Sequence, residues 1–401
     1  MRSLGALLNV KKCTLRARMI FAVDENIPLA EAALSPWGEV RRFAGRQLTS
    51  AWLADVDALF VRSVTKVNAE LLQGSAVRHV ATATAGTEHV DEAWLRAAGI
   101  SFASAPGSNA ASVVDWVLSV LAVDGLSHPV PWPLTVGIVG AGQVGGRLGH
   151  RLAALGCRVL RVDPPLQDQG LPGPWYRMAD LVDADVVSFH VPLVLGGAHP
   201  TRSMIGADWL RSLKKRPLIL NACRGEVSVE SDLLRALDAG WIRGFALDVF
   251  EREPDPRSEV VERALVATPH IAGYAAAAKV RGWAMVVRDF QSRMQWAGGL
   301  DFEAAIRDLG QDGMSAEVLE TAASGATLHP SLAAYDVRLD SEVLKGAIAA
   351  RSDLKSAFDQ HRKRYPLRLE FEAFRFPVKI SVAARNLALA LGFQPELLRK
   401  F

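Results

Sequence analysis

A glycine-rich segment after a short apolar run constrains the fold of this chain more than any other feature. Gly140, Gly142 and Gly145 have the spacing G-x-G-x-x-G, and they lie between the predicted strand Thr135–Val139 and a predicted helix. In such a unit the first glycine permits a tight turn. The second lets the backbone approach a pyrophosphate, and the third lets helix and strand pack closely. The segment predicts a doubly wound parallel sheet with a dinucleotide site.

The second strand of this unit, Arg158–Val162, ends at Asp163, eighteen residues beyond Gly145. A carboxylate at that position would accept hydrogen bonds from the ribose hydroxyls of a dinucleotide, and it would repel a 2′-phosphate. The sequence therefore favours NAD over NADP. Gln143 and Val144 are assigned to the same cofactor loop. The alternative for Asp163 is a carboxylate that only caps the following turn.

Three later fragments supply the groups that hydride transfer from a 2-hydroxy acid requires. Arg224 follows the predicted strand Leu218–Asn221, Glu253 lies in the segment DVFEREP, and His270 follows a strand and a proline. A guanidinium binds a carboxylate bidentately, an imidazole accepts the hydroxyl proton, and a carboxylate on the other ring nitrogen sets the tautomer. The alternatives are a surface ion pair for Arg224 and a structural role for His270.

Other polar residues have open roles at this stage. Asp248 ends a predicted strand, where it either accepts a hydrogen bond from the nicotinamide carboxamide or caps a turn. His190 is expected to shape its loop and not to transfer protons. Residues 62–66 and 83–87 follow strands of the first region and contain hydroxyls and cations. They either bind a carboxylate or phosphate or are simple polar turns.

The length of 401 residues predicts two to three domains, at ~100–200 residues each. Alternating strands and helices, with long helices predicted over 109–126 and 275–296, divide the chain. A substrate-binding domain comprises 19–108 and 274–299, an NAD-binding domain 109–273, and an α+β module 300–401. Residues 1–18 are expected to be a disordered extension or a misassigned start before Met19.

Composition excludes several classes of protein. The net charge is +3, and the basic residues are not clustered as in a nucleic-acid-binding protein. The three cysteines lack disulfide or zinc spacing, so no metal is expected. No apolar run reaches the ~18 residues of a membrane span, and no signal peptide is recognised. We expect a cytoplasmic protein that binds neither nucleic acid nor membrane.

The chain resembles the D-isomer-specific 2-hydroxyacid dehydrogenases from Met19 to its end. The family resemblance rests on GAGQVG at 140–145, HVPL at 190–193, NACRG at 221–225, DVFEREP at 248–254 and PHIAG at 269–273. A closer resemblance, to the branch acting on 4-phosphoerythronate, rests on VDENIP at 23–28, VRSVTKVN at 61–68, TATAGTEHVDEAWL at 82–95, DPP at 163–165, HIAGY at 270–274, AYDVRLD at 334–340 and FDQHRKRYP at 358–366.

This resemblance implies a Rossmann NAD domain, a flavodoxin-like substrate domain and a C-terminal α+β domain that forms a homodimer. It implies oxidation of 4-phospho-D-erythronate with NAD, a step of vitamin B6 synthesis. Matching positions are Arg224, Glu253 and His270 for catalysis, Ser63, Thr84 and Tyr274 for substrate, and Asp163, Asp248 and Gly273 for cofactor. Val191 and Val229 depart from the family pattern.

Three other hypotheses remain open. Another dehydrogenase of the family, acting on 3-phosphoglycerate, glycerate or hydroxypyruvate, would use the same Arg224, Glu253 and His270. An NAD-sensing scaffold would keep the fold but act through protein partners. Residues 300–401 would, in the third hypothesis, bind a regulatory ligand. A substrate panel separates the first of these from the main hypothesis.

Overall fold

The computed structural model describes residues 18–128, 131–310, 312–325 and 327–396. All but the last residue of the extension predicted for 1–18 therefore lie outside the described residues. The chain divides into two compact units. The first comprises the residues up to Asn109 together with Ala276–Gly310, and the second comprises Ala110–Ala275 and the residues from Gln311 onward.

Strands and helices alternate along most of the chain. The strands are β1 (Met19–Asp24), β2 (Gly38–Phe43), β3 (Ala58–Val61), β4 (His79–Thr82), β5 (Ser101–Ala103), β6 (Thr135–Val139), β7 (Arg158–Val162), β8 (Val186–Phe189), β9 (Leu218–Asn221), β10 (Gly244–Leu247), β11 (Val266–Ala267), β12 (Asp312–Gly313), β13 (Phe374–Phe376) and β14 (Gln394–Pro395). The helices are α1 (Ala30–Leu34), α2 (Ala69–Leu72), α3 (Glu92–Ala97), α4 (Ala110–Ser127), α5 (Gln143–Ala154), α6 (Pro164–Asp168), α7 (Ala207–Ser212), α8 (Glu230–Asp238), α9 (Ser258–Arg263), α10 (Ala276–Arg293), α11 (Phe302–Asp308), α12 (Ala316–Gly325), α13 (His329–Ala334), α14 (Val337–Ala349), α15 (Leu354–Lys363) and α16 (Val382–Leu391).

The first unit contains a parallel sheet with the strand order β2-β1-β3-β4-β5. This is the flavodoxin-like order that the resemblance implied. Every residue of β3 and β4 is buried. From α10, the rings of Trp283 and Phe290 pack edge-on against Phe60 of β3, with centroids 5.1 and 5.6 Å apart. The helix thus covers one face of the sheet.

The second unit contains a six-stranded parallel sheet in the order β11-β10-β9-β8-β6-β7. The chain passes from β7 back across β6 to β8, so the strand order reverses there, and ligands of such sheets bind at the carboxyl ends beside the reversal. The predicted doubly wound fold is confirmed. Helix α4 is long and apolar enough to cross a membrane, with a mean hydropathy of 1.5, but 83% of it is buried inside the protein.

Residues of the C-terminal region form buried hydrogen bonds with α4. The hydroxyl of Ser119 donates to the carbonyl oxygen of Tyr335 at 2.6 Å, and the hydroxyl of Ser112 donates to Glu370 at 2.8 Å. The carboxylate of Asp115 accepts the backbone N–H of Phe371 at 2.9 Å. These buried hydrogen bonds join the residues from 311 onward to the compact unit that contains α4, while 300–310 belong to the first unit.

Candidate active site

The glycine-rich loop between β6 and α5 has the geometry that a dinucleotide requires. Gly140 has a φ of 86°, a left-handed conformation that favours glycine. A methyl carbon on Gly145 would lie 1.9 Å from the carbonyl oxygen of Gly140, so only glycine fits this packing. Around Gly142, where α5 begins, a methyl carbon would meet no atom within 4 Å. The helix N-terminus is therefore open to an anion, and the loop fits a pyrophosphate.

Asp163 and His190 flank this loop. Asp163 accepts the N–H of Ala141 at 2.7 Å and the N–H of Leu166 at 3.1 Å, so it fastens the glycine loop and caps α6. Each of its oxygens has a second lone pair for a ribose hydroxyl. His190 lies 2.9 Å from the hydroxyl of Ser188, and burial lowers its pKa to about 4. A neutral imidazole fits the loop-shaping role expected for His190.

Three neighbouring strands bring the predicted catalytic residues to one edge of the sheet. Asn221 of β9 is in register with Leu247 of β10, which is in register with Ala267 of β11. The loop with Arg224 follows the first strand, the loop from Asp248 to Glu253 follows the second, and the loop with His270 follows the third. Arg224, Glu253 and His270 therefore lie on loops at the carboxyl ends of adjacent strands.

Asn221 and Gly225 position the Arg224 loop. The side-chain amide of Asn221 donates to the carbonyl oxygen of Arg224 at 2.9 Å, and its oxygen accepts the N–H of Cys223 at 3.1 Å. A methyl carbon on Gly225 would lie 1.9 Å from the carbonyl oxygen of Phe250. The absence of a side chain thus lets the Arg224 loop contact the loop that leads to Glu253.

His270 and Glu253 form a hydrogen-bonded pair. Imidazole Nδ1 lies 2.7 Å from Oε2 of Glu253, and the side chains are 36% and 24% exposed. The other carboxylate oxygen accepts the N–H of Phe250 at 3.1 Å. Burial alone would raise the pKa of the Glu253 carboxyl. The charge and hydrogen bond of His270, the Phe250 N–H and the charge of Arg362 outweigh burial, so the pKa is lowered. The bond at Nδ1 leaves Nε2 for proton transfer.

Asp248 holds the His270 loop. Its carboxylate accepts the hydroxyl of Thr268 at 2.6 Å and the N–H groups of Ile271 and Ala272 at 2.8 and 2.9 Å. His270, between these residues, has a φ of 55°, which is strained for a side chain of its size. Burial, opposed by nearby His270 and these hydrogen bonds, raises the pKa of Asp248 to about 6. These contacts fit the alternative in which Asp248 caps a turn. A hydrogen bond between Asp248 and the nicotinamide carboxamide stays a prediction.

Tyr274, an expected substrate residue, contacts a residue that sequence reasoning missed. Its phenolic oxygen accepts hydrogen bonds from Nε and Nη2 of Arg362 at 3.1 and 2.9 Å. Arg362 lies in the motif FDQHRKRYP at 358–366, which indicated only the closer resemblance. The run of basic residues there was the available signal. The C-terminal region thus contributes a cation beside the His270 loop.

Ser63 and Thr84 lie in the first unit, on adjacent loops. Val61 of β3 is in register with Thr82 of β4, and each predicted substrate residue follows its strand by two positions. The hydroxyl of Thr84 lies 2.7 Å from that of Thr82 and donates to the carbonyl oxygen of Gly86 at 3.0 Å. Ser63 is exposed. Both hydroxyls therefore lie at the carboxyl edge of this sheet.

Comparison with known proteins assigns the family. Residues 131–272 match the model of the D-isomer specific 2-hydroxyacid dehydrogenase NAD binding domain. Erythronate-4-phosphate dehydrogenase of Edwardsiella ictaluri is 41% identical over 94% of this chain and 100% of its own length. The enzyme of the same name from an Escherichia coli strain is 40% identical over 94% of this chain and 98% of its own. The chain belongs to the D-isomer-specific 2-hydroxyacid dehydrogenase family. The NAD-binding domain and the oxidoreductase class predicted from sequence are confirmed.

Solved structures of 2-hydroxyacid dehydrogenases share the fold. A glyoxylate/hydroxypyruvate reductase from Sinorhizobium meliloti is 22% identical, with a TM-score of 0.58, and the alignment covers 71% of this chain and 98% of that one. A D-lactate dehydrogenase from Aquifex aeolicus, with NAD and lactic acid, is 21% identical, with a TM-score of 0.55, over 69% of this chain and 95% of its own. Nearly the whole of each of those chains therefore corresponds to about seven tenths of this one.

Proposed function

We propose that the chain oxidises 4-phospho-D-erythronate at C2, with NAD as hydride acceptor, in the synthesis of pyridoxal 5′-phosphate. The product would be (R)-3-hydroxy-2-oxo-4-phosphooxybutanoate. The observation that carries the proposal is the 2.7 Å hydrogen bond between His270 and Glu253, next to the loop of Arg224. The substrate is supported by the relatives named above, which match the chain over 94% of its length.

Arg224, Glu253 and His270, the proposed catalytic trio, each have a role in the transfer of the proton and the hydride. Arg224 binds the substrate carboxylate through its planar fork and polarises the C2 oxygen. Nε2 of His270 takes the hydroxyl proton as the C2–H bond breaks and the C2–O double bond forms. Glu253 stabilises the resulting imidazolium, and its lowered pKa keeps it ionised at neutral pH. NAD, when bound, accepts the hydride.

The residues that would hold NAD lie in the second unit. Gly140, Gly142 and Gly145 with Gln143 and Val144 would form the pyrophosphate loop, and Asp163 would bind the ribose hydroxyls. Its carboxylate would repel the additional phosphate of NADP, so we propose a preference for NAD. Asp248 and Gly273 lie in the loops where the nicotinamide would bind.

A substrate panel tests this function. Purified protein should oxidise 4-phosphoerythronate with a higher kcat/KM than 3-phosphoglycerate or glycerate, and it should reduce hydroxypyruvate poorly in the reverse direction. Oxidation should be faster with NAD than with NADP. A clear preference for another acid would replace the proposed substrate with that one.

A pair of histidine variants tests the chemistry. His270→Gln should abolish hydride transfer while NAD binding, followed by fluorescence titration, is retained. His199→Gln is the matched control, because His199 also lies 2.7 Å from a carboxylate, that of Asp168, but outside the trio. Wild-type protein inert toward every 2-hydroxy acid would support the scaffold hypothesis.

We also propose that the protein is a cytoplasmic homodimer that assembles through residues 300–401. Val382 and Leu389 of α16 are 75% and 49% exposed, which provides apolar area for a second copy. Light scattering should report a dimer, and Val382→Glu combined with Leu389→Glu should give a folded monomer. A dimer unaffected by these changes would place the interface elsewhere.

A further inference from the structure

Arg362, near the end of α15, has an unusual environment for a cation. Its guanidinium donates two hydrogen bonds to the phenolic oxygen of Tyr274, and its Cζ lies 5.5 Å from the centre of that ring and 5.7 Å from that of Phe358. The side chain is half-buried. Among the described residues it forms no ion pair within 4.0 Å. The charges of Glu253 and Asp248 favour its protonated form from a greater distance. They form no hydrogen bond with the guanidinium among the described residues, so its unused N–H groups still suit a bound anion.

The guanidinium of Arg362 has unused hydrogen-bond donors. Of its five N–H groups, the bonds to Tyr274 use two, from Nε and Nη2. The remaining groups lie on the same planar fork, which matches the spacing of two oxygens of a phosphate or carboxylate. The two hydrogen bonds to Tyr274 and the neighbouring ring of Phe358 restrict the plane of the fork. Arg362 is therefore built to bind an anion in one orientation.

Arg362 lies close to the catalytic pair. Tyr274 is in the loop of His270, and its N–H donates to the carbonyl oxygen of Ile271 at 2.9 Å. The charge of Arg362 is one of the influences that lower the pKa of Glu253. An anion bound to Arg362 would therefore lie close to a substrate whose hydroxyl group faces His270.

Other C-terminal residues fix α15 to this loop. Arg368 donates to the carbonyl oxygen of Ala272. Asp340 accepts the hydroxyls of Tyr335 and Tyr365, each at 2.7 Å, and lies 3.0 Å from Nε2 of His361, the residue before Arg362. This buried cluster prevents the helix end from drifting, so the position of Arg362 relative to Tyr274 is defined.

The chemistry of the proposed substrate supplies the anion. It has a carboxylate at one end and a phosphate at the other, and Arg224 already accounts for the carboxylate. A phosphate monoester carries about −1.5 to −2 charges at neutral pH, which suits an arginine that has no carboxylate within 4.0 Å in the described part of the chain. We propose that Arg362, held by Tyr274, binds the C4 phosphate and determines the preference for a phosphorylated acid. This inference rests on the proposed function.

Kinetics of Arg362 variants test the proposal. For Arg362→Gln we expect KM for 4-phosphoerythronate to rise about 10- to 100-fold, as for loss of a charged hydrogen bond, with turnover of unphosphorylated erythronate changed by less than about twofold. Arg362→Lys should have an intermediate KM, because it keeps the charge but loses the fork. Arg364→Gln, an exposed arginine two residues on, is the control and should behave as wild type.

Equal losses on both acids would assign Arg362 a structural or carboxylate-binding role and overturn the proposal, as would an unchanged KM. If wild-type protein does not oxidise 4-phosphoerythronate at all, the proposed function fails, but Arg362 can still be tested. Inorganic phosphate should then inhibit the turnover of whichever 2-hydroxy acid is accepted, and Arg362→Gln should abolish that inhibition. Equal inhibition of both proteins, or none of wild type, would overturn the phosphate site.

Discussion

Substituting Gly225 with alanine should separate two loops of the active site. The added methyl carbon would lie 1.9 Å from the carbonyl oxygen and 2.1 Å from the carbonyl carbon of Phe250, whereas ordinary contact begins at 3.4 Å. The obstructing atoms are backbone, so no side chain can rotate away. One loop must move by about 1.5 Å, the difference between these distances. Since Arg224 precedes Gly225 and Glu253 follows Phe250, the movement separates the guanidinium from the His270–Glu253 pair.

A displacement of about 1 Å in an active site can reduce the rate about 100-fold. We therefore expect Gly225→Ala to lower kcat/KM for the 2-hydroxy acid by about two orders of magnitude. The glycine-rich loop is on another part of the sheet, so Kd for NAD, measured by fluorescence titration, should remain within about twofold of the wild-type value. Steady-state kinetics and this titration together make the assay.

Gly244→Ala is the matched control. Gly244 begins β10, and its added methyl carbon would lie 3.5 Å from a side-chain carbon of Leu218, an ordinary contact. This variant should retain wild-type kcat/KM. A Gly225→Ala protein with wild-type kcat/KM would refute the idea that contact between these loops aligns Arg224 with the pair.

Three further predictions concern buried or paired carboxylates. Glu253→Gln removes the charge that stabilises protonated His270, so kcat should fall about 10- to 100-fold with Kd for NAD unchanged; an undiminished kcat would contradict the role of the pair. Asp248→Asn replaces one acceptor oxygen by an N–H donor, which removes a hydrogen bond from the loop 268–272. Backbone hydrogen exchange in this loop, measured by mass spectrometry, should therefore accelerate, and kcat should fall about tenfold. Burial raises the pKa of Asp115 from 3.8 to about 7, despite nearby Arg151, so the folded state holds this proton more tightly. Protonated Asp115 stabilises the fold fully below pH 3.8, the pKa of the unfolded chain, and this contribution is lost as pH rises towards 7. The free energy of unfolding in urea should therefore fall between pH 4 and about 7 in the wild type, and it should depend less on pH in Asp115→Asn.

Sequence reasoning predicted the strands of the NAD domain well because of where they lie. β6, β7 and β9 have the predicted bounds, and two of them, β6 and β9, are almost wholly buried, which produces continuous apolar runs bounded by polar residues. β2 was missed for the opposite reason. It lies at the sheet edge and reads GEVRRF, with charged residues at three of its six positions. An exposed edge strand lacks the apolar run that sequence patterns detect.

The site was predictable only where its residues follow strand ends. Arg224, Glu253 and His270 lie in loops after consecutive strands, so the parallel sheet itself brings them to one edge. The contact between Arg362 and Tyr274 joins residues 88 positions apart and follows no strand register. Only the folded chain reveals such a pair, because a basic run on a short helix is usually a solvated face.

A C-terminal residue contacts the loop of His270, the proposed proton carrier. His270 has a strained left-handed backbone, and such a conformation persists only where its surroundings hold it. Asp248 fixes the loop from β10, while Arg368, 96 positions beyond Ala272, binds its carbonyl oxygen from the opposite end of the chain. The loop that carries His270 is therefore held both by Asp248 and by Arg368 of the C-terminal segment.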